Sequence, residues 1–267
     1  MITIRRKDSG ALLLELDAGT LTGARLAHAV LLYADLPGAN FAGADLRSVD
    51  LCSANLEGAN FDGADLRGAD LSGSSLRRAS LIGARLIDCR LLGVDFTGAT
   101  LRNADLSRAS FKLAQAGPPG ANFRNARLRR GGLDHTGFGG SDFSGADLAE
   151  ANLTGANFAG ANLRGASLNG AMLEGTDLSG AMLEHADLAH AVLHRTNLAG
   201  ARLAEAIFGR TVIAASPSIA EAVGLAHTSH VAPSSLDVTT ATELLGRLPP
   251  EFVDGLGVPE ALLAPRR

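Results

Sequence analysis

The chain has 267 residues, of which 46% are hydrophobic but only 4% aromatic, with no Trp and 32 Gly. Its formal net charge of −4 is too mild to select a nucleic acid or an anionic membrane surface. No apolar stretch is long enough to span a bilayer, and the run 11–14 is too short for a signal peptide and ends at Glu15.

Residues 1–15 read as an N-terminal cap. Ile2 and Ile4 alternate with polar residues, Lys7-Asp8-Ser9-Gly10 is a turn signal, and Leu12, Leu14 and Leu16 alternate again. The expectation is a small hairpin that covers an open edge. Residues 16–111 then carry a Leu or Phe at every fifth position without a miss, from Leu16, Leu21 and Leu26 through Phe41, Leu46 and Leu51 to Leu106 and Phe111. Two places before most of them stands a small residue, as at Ala24, Ala29, Ala34 and Ala54. Between small and large there is usually Asp or Asn, as at Asp35, Asn40, Asp45 and Asn55. A period of five is neither the 3.6 of a helix nor the 2 of a strand, so it is an internal repeat.

The stretches ANFAGADLRS, ANLEGANFDGADLRGADLSG and ANLTGANFAGANLRGASLNG carry the pattern in its purest form. It resembles the pentapeptide-repeat family, whose consensus is close to A(D/N)LXX. The resemblance implies an all-β solenoid: a right-handed quadrilateral β-helix in which each pentapeptide makes one side and four make a coil of twenty residues. The residues support that coil independently. Phe41 and Phe61, Phe123 and Phe143, and Phe138 and Phe158 are each one coil apart, where bulky inward side chains would stack. Inward Ala suits a narrow axis, and Gly at the fifth place (Gly43, Gly58, Gly63, Gly68) suits a corner. Such coils are stable only on their neighbours.

The register breaks after Phe111. The next inward residue, Phe123, is two residues further on than two repeats allow, and Gly117-Pro118-Pro119-Gly120 between them is a loop signal. Residues 112–122 are therefore expected as a loop insertion, and residues 123–213 as a second block of repeats. About ten coils would make a rod on the order of 50 Å long. Residues 214–267 lose the repeat and read as a helical C-terminal tail. Ser216-Pro217 with Glu221, and Thr240 with Glu243, resemble helix starts, and a third short helix is expected after Pro259. HTSHVAPSSLDVTT and LPPEFVDGLGVPEAL are also similar to a segment that follows pentapeptide repeats and precedes effector domains in multidomain bacterial proteins. That similarity implies a recognition role.

Charge is unevenly placed. Residues 35–70 are acidic, residues 77–130 are strongly basic, and acids lead again from Asp142 to Glu205. The basic stretch includes Arg77, Arg78, Arg85, Arg90, Arg129 and Arg130. It is either a solvated face laced with salt bridges or a belt that grips an acidic partner. Ile82, Ile87 and Leu92 stand one place after the inward Leu, within the belt, and form an apolar girdle. Either the 112–122 loop covers this girdle or it is a contact surface. Met172, Val192 and Val212 replace the usual Asp or Asn at twenty-residue intervals. The tail helix is expected to lie along this ladder, with a dimer interface as the alternative.

Chemistry-bearing patterns are absent. His185, His190 and His194, and the pair His227 and His230, have no converging ligands, so no metal or cofactor is expected. Cys52 falls at an outward and Cys89 at an inward position, which reads as two free thiols and a reducing, cytoplasmic compartment. The sequence points to a non-catalytic scaffold that binds a protein, as a monomer or dimer, with no direct nucleic-acid contact and no membrane. Some members of the family modulate DNA gyrase by resembling a DNA duplex, and the resemblance implies that alternative. The basic middle argues against it.

Overall fold

A computed structural model of the chain describes residues 1–17, 19–117, 120–244 and 246–257. Pairing between successive coils is parallel and begins at a spacing of twenty residues. Arg25 bridges Asp45, Val30 bridges Asp50, Asp35 bridges Asn55, and Asn40 bridges Asn60. These four pairs start four ladders, which define four walls. The first wall carries Asp45, Asp65, Arg85, Asp105, Arg127 and Asp147; the second Asp50, Asp70, Arg90, Asn152 and Met172. The third carries Asn55, Ser75, Asp95, Gln115 and Asn157; the fourth Asn60, Ser80, Thr100, Asn122 and Asn162. The chain is thus a β-helix solenoid.

Each position of the repeat has its own physical reason. The central Leu or Phe and the small residue two before it are buried, as at Leu46, Phe61, Ala54 and Ala64. Burying each large side chain stabilises by roughly 2–3 kcal/mol. The two residues after the Leu turn the corner. The N–H of Ala24 donates to the carbonyl of Leu21 at 3.0 Å, closing a β-turn whose third residue, Gly23, has φ +65°. A turn with a left-handed third residue favours Gly there. The Asp or Asn before the Leu meets a need that the ladders leave open. Its side-chain oxygen accepts the N–H two residues on, as Asn60 does from Asp62 at 2.9 Å and Asp70 from Ser72 at 2.9 Å. Short polar side chains that bond the backbone two places on are typical of turns.

The core stacks as the Phe spacing predicts, with one difference. Phe41 and Phe61 are stacked at 5.0 Å, and Phe123 and Phe143 at 4.5 Å. Phe138 and Phe158 are instead edge-on, at 6.0 Å and 64°. They belong to a group of six rings, Phe96, Phe111, Phe123, Phe138, Phe143 and Phe158, at the break in register. Large rings in mixed orientations fill the interior where the coil is two residues longer.

The interruption is narrower than residues 112–122. Gln115 still bridges Asp95 and Gly137, Ala116 is buried, and pairing resumes at Asn122, which bridges Thr100. Pairing is therefore interrupted only between Ala116 and Ala121, next to the corner where Gly117 N–H donates to Thr97 Oγ1 at 3.0 Å; Pro118 and Pro119 lie outside the described residues. A coil absorbs two residues at a corner more readily than on a wall, where they would break the ladder.

At the N-terminus β1 (Ile2–Arg5) and β2 (Leu12–Leu16) pair antiparallel. Ile4 is buried, and the hairpin docks on the third wall, where Asp35 N–H donates to Arg5 O at 2.8 Å and Arg6 bridges Ala34. Arg6 also lies 4.6 Å over the Tyr33 ring.

The C-terminal region departs from the expected helical tail. The strands β3 (Val192–His194), β4 (Ile207–Phe208) and β5 (Val212–Ala214) belong to the repeat. Beyond it β6 (Ser229–His230) pairs with β4, and β7 (Ser235–Leu236) with β5, while Val223 bridges Arg202. The solenoid therefore continues past residue 213 without the Leu period. Two 3-10 turns, Pro217–Glu221 and Leu225–His227, take the place of regular sides, with Ile219 and Leu225 inward. Ser216 does not cap a helix. Its hydroxyl is buried and donates to Leu193 O at 3.0 Å, one coil back. Two α-helices follow, α1 (Val238–Leu244) and α2 (Pro250–Gly255). The first starts before Thr240, because Asp237 accepts the N–H groups of Thr239 and Thr240 at 3.0 and 3.1 Å. In the second, Phe252 meets Phe208 edge-on at 5.3 Å and closes the end of the core. The helix expected after Pro259 lies outside the described residues.

Candidate functional site

Interior positions are occupied by packed Leu and Phe with Ala or another small residue such as Ser74, Cys89 or Thr176, so the charged and large apolar departures from the pattern face outward. The structure redistributes the residues that the sequence grouped as one belt. Arg85 is on the first wall and Arg90 on the second. Arg129 and Arg130, with Ile87, lie at the first corner, between those walls. Leu92 is at the second corner, Arg77 and Arg78 at the third, and Ile82 at the fourth, beside the first wall. The first and third corners are diagonally opposite. A partner on one flat side cannot touch Arg77 and Arg129 together, so the nine residues do not form one contact surface.

Ion pairs sort these cations further. Arg77 pairs with Asp95 at 3.0 Å, Arg78 with Glu57 at 3.1 Å, Arg90 with Asp70 at 3.5 Å, and Lys112 with Asp134 at 3.6 Å. Arg129 and Arg130 both reach Glu150. Arg108, on the first corner, makes a two-pronged pair with Asp88 at 2.8 and 2.7 Å. Hydrogen bonding from Arg108 holds the Asp88 carboxyl below its usual range, and Arg130 followed by Arg129 does the same for Glu150. Much of the belt is therefore the salt-bridged surface that the sequence left open. The exceptions are Arg85, Arg102 and Arg124, which are exposed and have no acidic partner among the described residues. Arg102 and Arg124 stack at the fourth corner, one coil apart. The twenty-two-residue step across the interruption hides that relation in the sequence.

One side of the rod thus concentrates the charge. The stretches 82–88, 102–108 and 124–130 lie on adjacent coils and cross the first wall from the fourth corner to the first. Together they hold seven arginines and two aspartates, with Ile82 and Ile87 flanking Arg85. The coil before brings Asp62 and Asp65 with Arg67, which pairs with Asp65 at 2.6 Å, and the coil after brings Asp147 and Glu150. The basic area is therefore a bounded patch on one side.

The apolar girdle is open. Ile82 is 39% and Leu92 46% exposed, so the described residues of the 112–122 stretch do not fold over them. Leu113, missed in the sequence, is exposed at the same corner as Leu92, one coil on. Met172, Val192 and Val212 do stack on the second wall, where Met172 bridges Val192 and Val192 pairs with Val212. They remain 49%, 37% and 39% exposed, so the described residues of the tail do not lie along them. It closes the end of the solenoid, because Leu244, Phe252 and Val253 find apolar partners there.

Among the described residues no group of three or more His, Cys, Asp or Glu is placed to hold a metal ion, and no helix is long and apolar enough to cross a membrane. His194 and His185 each meet a single glutamate, Glu174 and Glu205, at 3.2 Å. Cys52 and Cys89 are free. Burial pushes both thiols up to about 12, which leaves them unreactive near neutrality.

A four-walled coil with an A(D/N)L side repeated along it is the architecture of pentapeptide-repeat proteins. The family's profile, "Pentapeptide repeats", matches in eight copies over residues 20–58, 44–81, 74–112, 141–180 and 173–210. These matches cover more than half of the chain, and the chain belongs to the pentapeptide-repeat family. Among solved structures it is similar to HetL, a pentapeptide-repeat protein involved in heterocyst differentiation regulation from the cyanobacterium Nostoc sp. strain PCC 7120. That match has 31% identity and a TM-score of 0.35, covering 73% of this chain and 84% of HetL. It is similar to a trypsin-treated QnrB1, a plasmid-mediated fluoroquinolone resistance protein, at 17% identity and a TM-score of 0.40, over 80% of this chain and 95% of that one. A pentapeptide-repeat protein of the Arabidopsis thaliana thylakoid lumen is 27% identical over 44% of this chain and 66% of its own length, with a TM-score of 0.26. No curated protein matches the chain.

Proposed function

We propose that this protein is a non-catalytic, rigid scaffold that binds another protein through its outer walls. One observation carries the reading: the inside of the coil is filled, its substitutions for Ala are small residues such as Ser74, Cys89, Thr136 and Thr176, and the charged and large apolar departures from the consensus face outward. Those departures are the arginines of the first wall, Ile82, Leu92, and the Met172, Val192 and Val212 ladder. A surface of fixed spacing, about 4.8 Å from coil to coil, presents side chains with little conformational entropy left to lose. The two free thiols fit a reducing compartment, so the cytoplasm is the proposed location. No cofactor takes part. The similarity of the C-terminal segment to one that precedes effector domains supports a recognition role. Affinity capture with the full chain, followed by cross-linking, is expected to recover a saturable protein partner attached to outward residues. Recovery of no partner at any salt concentration would overturn the scaffold reading.

Modulation of DNA gyrase is the second reading. Family membership supports it, as do the acidic coils on either side of the patch, which carry Asp62, Asp65, Asp147 and Glu150. The seven arginines on the first wall and its two corners oppose it, because a surface that imitates a duplex carries negative charge throughout. A supercoiling assay with purified gyrase, with and without a fluoroquinolone, decides: protection or inhibition supports the reading, and no effect at large excess ends it.

A further inference from the structure

The geometry points to the first wall, across residues 82–88, 102–108 and 124–130, as a docking surface for an acidic protein segment that carries aliphatic side chains. This inference rests on the scaffold reading and names the side used and the chemistry of the partner.

The cations around the rod are not equivalent. On the other walls and corners of the same coils, Arg77, Arg78, Arg90 and Lys112 each have a carboxylate within 3.6 Å. On the first wall and its fourth corner, Arg85, Arg102 and Arg124 have none among the described residues, and Arg127 reaches Asp105 only at 3.8 Å. A guanidinium that no carboxylate engages, as at Arg85 between the Asp65 and Asp105 positions of its ladder, is free to make a two-pronged bond to an incoming carboxylate. Arg102 and Arg124 are stacked one coil apart, with Arg85 across the wall on the coil before, so carboxylates spaced along one extended or helical segment could meet all three.

The patch also discriminates between acidic partners. Ile82 and Ile87 lie on the same coil as Arg85, one at each edge of the wall, with Ile82 39% exposed and Ile87 partly so. Aliphatic anchors beside a row of cations suit a protein segment with Leu or Ile among its acids. They offer nothing to a sugar-phosphate backbone. Asp88 and Asp105 lie within the patch and would repel a continuous run of phosphates, and it has no aromatic side chain on which a base could stack. The acidic coils on either side, with Asp65 and Asp147 on the same wall, bound the footprint and set the register.

The test uses the full chain and a fluorescein-labelled sixteen-residue peptide of Glu and Asp with Leu at every fourth position, read by fluorescence anisotropy at two salt concentrations. The competitors are an all-Glu peptide and a duplex oligonucleotide. The Leu-bearing peptide is expected to bind tightest. Reversing Arg85, Arg102 and Arg124 together to Glu is expected to weaken it at least tenfold, and Ile82→Ser with Ile87→Ser severalfold. Reversing Arg77 and Arg78 at the opposite corner is expected to leave it unchanged. These arginines are exposed, and circular dichroism of each variant checks that it folds. Preferential binding of the duplex would overturn the assignment, as would equal loss from both sets of reversals or no binding of the Leu-bearing peptide. The scaffold reading would survive any of these if captured partners cross-link to another wall.

Discussion

At the corner, the second turn residue adopts a left-handed backbone whether or not it is glycine. Gly155 and Gly160 have the same φ of +64° but different surroundings. A Cβ on Gly160 would meet nothing within 4 Å, whereas one on Gly155 would lie 2.6 Å from His135 Nδ1. Gly160→Ala is therefore expected to cost about 1–2 kcal/mol, the price of a left-handed L-residue. Gly155→Ala should cost more, because the imidazole must also move. Paired thermal melts check this: equal shifts in Tm would show that His135 swings away freely. The Asp and Asn residues before each Leu were visible in the sequence as a habit of the repeat. Their role in satisfying the N–H two places on was not, because the pattern does not show which backbone donors the ladders leave unpaired.

At the scale of the coil, stability comes from stacking large side chains over a narrow axis. Phe123 lies where the coil lengthens and packs against Phe96, Phe111, Phe138 and Phe143. Phe123→Ala should cost about 3–5 kcal/mol, while Phe123→Leu should cost much less because most of the volume remains. A local loss of hydrogen-exchange protection on the coils next to the interruption is the expected signature. Uniform loss along the chain would contradict nearest-neighbour stability. Most of the coil was legible in the sequence, since the five-residue period and the spacing of Phe41 and Phe61 give the side and the closure. The tail was not. Ser229 and Ser235 extend the ladders without a Leu period because 3-10 turns, rather than A(D/N)L sides, carry the chain around. The patch was half legible, since the charge run is plain in the sequence. Its confinement to one side depends on which arginines find an acid a coil away, a relation made across twenty or twenty-two residues.

Over the whole molecule, exposed ion pairs form both within a coil, as Arg47 with Asp45, and between neighbouring coils, as Arg108 with Asp88, each contributing little alone. The pair with Arg47 lowers the Asp45 carboxyl to about 2, and Asp65, Asp88 and Glu150 are held down by Arg67, Arg108 and Arg130 in turn. Their folded-state pKa values lie below the unfolded ones, so their contribution is complete above the ordinary carboxylate range. It is lost as pH falls through the depressed values. Melting temperature should therefore hold steady from neutrality to about pH 5 and fall progressively between about pH 4 and 2. A flat profile over that interval would show that these pairs add nothing. The same pairing decides which cations remain available to a partner, and so links the stability of the rod to the side on which it works.

The most direct measurement is a hydrogen-exchange footprint of the full chain with and without the acidic Leu-bearing peptide. Added protection confined to residues 82–88, 102–108 and 124–130 is the predicted result. Protection at the opposite corner around Arg77 and Arg78, or spread evenly over all four walls, would contradict a one-sided docking surface.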